Sequence, residues 1–246
     1  MSRRADRSAA PGGSDREPTP DAPASAPAPA PARRTLPHGT HGLSPAFVAR
    51  DQRARIQLAT LELVAANGYL ASTVAEVCAR AQVSSKTFYE QFIDKQDAFL
   101  TAAQSALDQA LELCDQAVAA APTWPDSVWD GLATLLERAA AHPSQLRAVV
   151  VELPAAGPLA LELLQESLDV FAQFLDPGFE LAPAGVVPPL VRETIAGGVL
   201  ELIYRHTLAQ AAETLPEILP ELARFALTPF LGPAGAQAWV DRRQTR

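Results

Sequence analysis

Between Ser84 and Lys95 the chain reads S-S-K-T-F-Y-E-Q-F-I-D-K, with hydroxyls and ammonium groups interleaved with aromatic rings. Hydroxyls, lysine amines and the free N–H groups of a helix start are the donors that phosphate oxygens accept from. A helix capped by Ser84 puts Phe88 and Phe92, four residues apart, on one face. Ser85, Lys86, Tyr89 and Glu90 then lie on the other, with Thr87 and Gln91 at its edges. The first face can meet a core and the second a nucleic-acid backbone, with Lys86 able to reach guanine O6 and N7 in a major groove. A capped, half-buried helix of any small helical domain has the same spacing, so the pattern alone leaves both readings open.

The elements around this stretch follow from local signals. Ser44 as N-cap and Pro45 at the first helical position open a helix that Gly68 ends, with Ile56, Ala59, Leu63 and Val64 on one stripe. Thr73 and Glu76 have the spacing of a capping box, opening a helix of about two turns to Ala81. A break at Gln82–Val83 precedes the helix from Ser84, and Asp94 caps a long fourth helix. Two short helices joined by a tight turn have helix–turn–helix geometry, in which the second helix enters the major groove. Beyond Pro122, five further helices are expected, in P-D-S-V-W through H142, P-S-Q-L-R-A-V-V-V-E-L, G-P-L-A-L-E-L-L through Leu175, P-P-L-V-R-E-T-I through Glu213, and L-P-E-I-L-P through Leu231, with 176–189 as a loop. No segment alternates with period two, so the expected fold class is all-α. The divisions are a proline- and alanine-rich arm (1–44), a helix–turn–helix domain (45–100) and a helical body (101–246).

Charge is unevenly spread over a chain whose formal net charge is −8. The arm has six arginines against four acids, residues 45–100 have six charges of each sign, and the body has eight basic and eighteen acidic residues. An acidic body favours a single docking face for nucleic acid. The arm's Arg3, Arg4, Arg7, Arg33 and Arg34 lead toward Arg50 and Arg53 and could reach a minor groove, or the arm could be an inert tail.

Other chemistry finds little support. His38, His41, His142 and His206 lack metal spacing, Cys78 and Cys114 are isolated, and there is no G-x-S-x-G, P-loop or G-x-G-x-x-G. Neither a catalytic site, a metal nor a cofactor is expected. Without a secretory leader or an apolar run approaching ~18 residues, a cytoplasmic protein with no membrane partner is expected. Trp124, Trp129, Phe171 and Phe174 could line a small-molecule effector pocket or fill a core. Glu152, in the apolar run A-V-V-V-E-L, could meet a cationic ligand or pair with Arg147. Gly197 and Gly198, inside a helix, could let a second copy's helix approach, with Leu202, Leu222 and Ala226 joining a homodimer interface.

The stretch from Arg55 to Leu100 resembles the DNA-binding domain of TetR-family transcriptional regulators, through Ile56, Ala59, Leu63, Gly68, Thr73, Val77, Ala81, Val83, Ser84, Thr87, Phe88, Tyr89, Phe92, Lys95 and Phe99. Residues 193–233 look like the closing two helices of some members, which pair across a dimer axis. The resemblance implies double-stranded operator DNA as partner. It puts Thr73, Ser84, Thr87, Tyr89 and Lys95 on phosphates and Ser85, Lys86 and Glu90 toward bases. Gln82 stands where the family has a turn glycine, requiring a left-handed residue at ~1 kcal/mol. Gln91 stands where the family often has a histidine, and the same contact is assigned to it. Two functions fit: a ligand-responsive homodimeric repressor, or a constitutive DNA-binding protein whose body only dimerises.

Overall fold

The computed structural model describes residues 44–183 and 185–245. The arm up to residue 43, with the five arginines proposed for a minor groove, His38 and His41, lies outside the described residues. The described chain is helical, with no strand among the described residues.

Helix α1 (Pro45–Asn67) starts where the Ser44 hydroxyl accepts the Phe47 N–H at 3.2 Å. It stops where Gly68, at φ 85°, donates to the Val64 carbonyl. Helices α2 (Val74–Ala81) and α3 (Ser85–Gln91) close a three-helix domain on α1. Its core joins Ile56, Ala59 and Leu63 to Val77, Ala81, Phe88 and Phe92. Helix α4 (Lys95–Ala120) starts on the Asp94 carboxylate, which accepts the Asp97 N–H at 2.8 Å.

The division at 100/101 falls inside α4. Phe99, Ala102 and Ala103 on that helix share a second core with Leu61 and Val64 of α1 and with Ala148, Leu153 and Ala160 further on. The two halves are therefore joined by one rigid helix and a common core rather than a linker.

A third core forms between α5 (Trp124–Ala141), α9 (Val191–Leu208) and α10 (Leu219–Gln244), through Leu136, Val199, Ile203, Leu215, Leu227 and others. Here the expected helices need correction. The run P-S-Q-L-R-A-V-V-V-E-L is α-helical only as α6 (Pro143–Arg147). It widens into a π turn (Ala148–Glu152) and tightens into a 3₁₀ turn (Leu153–Ala156). Pro154 has no N–H and its ring clashes with the preceding turn, so the regular ladder cannot pass through it.

Helix α7 (Pro158–Gln173) follows Gly157, and the expected loop holds a single helical turn, α8 (Gly178–Leu181). Helix α9 ends at Leu208 rather than running to Glu213, because Gln210 turns left-handed at φ 56°. A 3₁₀ stretch (Ala212–Ile218) then leads into α10. Past a break at Gly232, at φ 71°, the chain is helical again to Gln244, a segment the sequence pattern did not reveal. Arg243 ties it back to α5, donating to Asp126 at 3.1 Å and to Asp130.

Candidate nucleic-acid interface and effector cavity

The start of α3 is built from local hydrogen bonds. The Ser84 hydroxyl accepts the Thr87 N–H at 3.0 Å and lies 3.0 Å from the Thr87 hydroxyl. Gln82, at φ 55° and ψ 47°, makes the turn after α2, while Val83 N–H closes on the Cys78 carbonyl at 3.0 Å. Thr73 caps α2 in a complete capping box with Glu76. Ser84, Ser85, Lys86, Tyr89 and Glu90 are exposed on one side of α3, Thr87 and Gln91 are half-buried at its edges, and Phe88 is fully buried on the other.

Two arginines hold this unit in place, Arg53, expected beside the arm, and Arg55, given no role from the sequence. Arg55 donates from Nη1 to the Ala81 carbonyl at 3.0 Å, at the C-terminal end of α2. Arg53 donates to the Gln91 carbonyl at 2.6 Å and lies over the Phe92 ring at 4.3 Å. Both satisfy carbonyls that a helix C-terminus leaves open, with charge of the sign that end prefers. Arg53 is thus engaged inside the domain rather than available beside the arm. Their signal was present in principle: arginines one helical turn from a face that must meet two helix ends.

Lys95 also has internal partners. Its ammonium donates to the Tyr69 carbonyl at 2.8 Å and the Ser72 carbonyl at 2.9 Å and lies 4.3 Å from the Tyr69 ring centre. It fixes the loop between α1 and α2, leaving one N–H for a phosphate.

The neutral charge of this domain now has a structural account. All six carboxylates of residues 45–100 face a donor of the same domain. Asp51 pairs with Arg55, Glu62 with Arg80 and Glu90 with Lys86, while Glu76, Asp94 and Asp97 accept backbone N–H groups. What remains toward solvent on α3 is hydroxyls, the phenol and an amine whose side chain is 86% exposed.

In the body an apolar cavity forms two adjoining lobes. The first, about 120 Å³, lies among α4, α5, α7 and α9, where Cys114, Leu135, Phe171, Phe174, Val199 and Ile203 line it. The second, about 110 Å³, shares Leu135, Phe171, Leu200 and Ile203 and extends between α4, the end of α5 and α6. Burial pushes the Cys114 thiol up to about 11, with the nearby Arg138 charge pulling it back.

Of the five residues singled out for a pocket, only Phe171 and Phe174 line this cavity. Trp124 donates to the Phe174 carbonyl at 3.3 Å and stacks edge-on against Phe230, and Trp129 packs on Trp239. Glu152 lies elsewhere: it accepts the Tyr69 N–H at 3.1 Å and pairs with Arg147 at 3.6 Å, while Arg147 donates to the Ala65 carbonyl at 3.1 Å. These two residues clamp the end of α1 to the π turn. The cavity's aliphatic lining was invisible in sequence because it consists of ordinary inward positions of amphipathic helices.

The five residues expected at a dimer interface also separate. Leu222 and Ala226 are buried in their own chain's third core, and Leu202 packs partly against it, because α10 turns this stripe toward α5 and α9. Gly197 faces open space, and Gly198 lies beside the Phe225 ring, itself 52% exposed.

Residues 56–102 match the family model for bacterial regulatory proteins of the tetR family. No curated protein sequence matches the chain. The fatty acid degradation regulator FadR of Bacillus halodurans has a similar solved structure, with TM-score 0.65 and 17% identity over 71% of this chain and 97% of that one. The regulator FadR of Bacillus subtilis, in complex with stearoyl-CoA, gives 0.64 and 18% over 73% and 98%. A tetR-family regulatory protein from Rhodococcus RHA1 gives 0.59 and 20% over 73% and 96%. The helix–turn–helix and the all-helical body together give the fold that these regulators share. Residues 56–102 thus match the tetR-family domain model, and the described chain shares the fold of these neighbours.

Proposed function

We propose that this regulator is a homodimeric repressor that leaves its operator when a molecule with a long apolar chain enters the body. The observation that carries the reading is the pair of adjoining apolar lobes, one wall of which is α6. The same α6 continues into the π turn whose Glu152, together with Arg147, holds the end of α1. A ligand that alters the packing of α6 therefore acts on the frame that orients α3. A body that only dimerised would have no need of such a cavity. The stearoyl-CoA complex of the B. subtilis neighbour supports an acyl chain as occupant.

On the DNA side, Ser84, Thr87, Tyr89 and the start of α2 at Thr73 are assigned to phosphates, with Lys95 as a lesser contributor. Ser85 and Lys86 are assigned to base edges, with Gln91 at the margin of the face. Two copies related by a two-fold axis would present two such helices, and the partner face we assign is the outer side of α9 and α10 around Gly197, Gly198 and Phe225.

The test is footprinting of the full chain on a duplex selected from a random library, with and without a dodecyl-chain ligand. Two protected half-sites separated by roughly one helical turn of DNA, or a multiple of it, and lost on ligand addition, are expected. A single half-site, or protection indifferent to a ligand shown to bind, contradicts the proposal.

A further inference from the structure

The second lobe differs from the first in what borders it. No charged residue lines the first lobe. The second is bordered by Arg138 and His142 at the end of α5 and by Gln145 on α6, with no aspartate or glutamate among its lining residues. In a body with eighteen acidic residues against eight basic, a cavity whose charged border is cationic departs from its surroundings. His142 is exposed while Arg138 and Gln145 are half-buried, so these three mark the side on which the lobe opens to solvent.

Arg138 is also under-used. Its Nη2 donates to the Gln109 amide oxygen at 3.2 Å, and among the described residues it forms no ion pair, unlike Arg147, Arg192 and Arg243 of the same body. A guanidinium carries five N–H donors in a planar fork that fits a carboxylate or phosphate in two-point contact. Its field reaches the cavity interior, since it acts on the Cys114 thiol that lines the first lobe.

We propose that the effector is an anionic amphiphile, with its tail in the two apolar lobes and its carboxylate or phosphate on the Arg138 guanidinium, beside His142 and Gln145. This rests on the effector reading given above and adds the head group to it. The tail is held by burial, which is indifferent to charge. The head is selected by Arg138, which rejects a cation and gains little from a neutral hydroxyl. Because Gln145 lies on α6, head-group contact falls on the same helix that leads to the Glu152 clamp.

Isothermal titration of the full chain with dodecanoate, dodecyl phosphate, 1-dodecanol and dodecyltrimethylammonium, each below its micellar concentration, tests this. At least one of the two anions is expected to bind about tenfold more tightly than the alcohol, the scale of one charge-assisted hydrogen bond, with the cation weakest. The tighter anion identifies the head group. Arg138→Gln should close the gap between that anion and the alcohol, and Arg138→Lys should keep part of it. Alcohol or cation binding as tightly as both anions, or an anion preference that survives Arg138→Gln, overturns the head-group assignment and leaves the apolar cavity reading standing. Failure of all four probes to bind overturns both.

Discussion

Each of the five helices from α1 to α5 starts on a serine, threonine or aspartate whose side chain accepts a backbone N–H, and none of those from α6 to α10 does. The first group includes the three-helix DNA-binding domain, where every carboxylate also has a donor. The second includes a π turn, two 3₁₀ stretches and prolines within helical segments at Pro216, Pro229 and Pro233. One region fixes its geometry with local hydrogen bonds. The other starts its helices without side-chain caps and leans more on burial, which tolerates re-packing more readily than a hydrogen bond tolerates a shift. The difference suits the proposed division between a part that presents donors in fixed register and a part that admits a ligand.

The largest blow to the fixed region is Phe88→Ala. Phe88 is wholly buried at the centre of the three-helix core. Its loss should cost about 3–5 kcal/mol, a large share of a domain's stability. Thermal unfolding should show the domain melting early, and operator binding should vanish with it. A melting curve unchanged from wild type would mean that the domain does not depend on its core in the way described.

Phe225→Glu addresses the body's outer face without touching its interior. The ring is half-exposed beside Gly198, so the variant should fold as wild type and sediment as a monomer at micromolar concentration, with operator affinity lost. A dimeric variant with intact binding would move the interface elsewhere.

Glu152→Ala tests the clamp between the two regions. It leaves the Tyr69 N–H and the Arg147 guanidinium without their carboxylate, a cost of about 1–3 kcal/mol. Operator affinity without ligand should change little compared with the ligand's power to release it, which should fall. Equal release in the variant and wild type, measured by operator anisotropy, would remove the clamp from the coupling route.

The smallest effect is expected at Gln82→Gly. Relief of a left-handed residue is worth about 1–2 kcal/mol, offset by the roughly 0.5–1 kcal/mol of chain entropy a glycine loses on folding. A net gain of up to about 1.5 kcal/mol should raise the melting temperature by at most about 3–6 °C, with operator affinity unchanged. A loss of stability would mean that the Gln82 side chain contributes more than its turn costs.

These two regions were not equally legible in the sequence. Ser44, Thr73, Ser84 and Asp94 announce helix starts because a cap is a matter between residues three apart, and the aromatic pair Phe88 and Phe92 announces a buried face by spacing alone. The internal partners of Arg53 and Arg55, and the Tyr69 contacts of Lys95 and Glu152, were not legible because they lie 26 to 83 residues away along the chain, whereas the pairing of Glu152 with Arg147, five residues away, was. Only tertiary approach decides whether such a charge meets a phosphate, a ligand or a helix end. The same holds for Leu222 and Ala226: an apolar stripe says that something covers it, and not whether the cover is its own chain or a second copy. Beyond Phe171 and Phe174, the aliphatic lining of the cavity had no signal, since a leucine facing a void and a leucine facing a leucine are identical in sequence.

The most direct test of the account is the release of operator DNA by carboxylates of increasing chain length, followed by fluorescence anisotropy on the full chain. Each methylene buried in the lobes contributes about 0.8 kcal/mol, so the half-effective concentration should fall by about fourfold per added carbon until the cavity is filled, and then level off. Operator binding that persists at saturating ligand, with ligand binding verified by calorimetry on the same sample, would contradict the coupling of the body to α3.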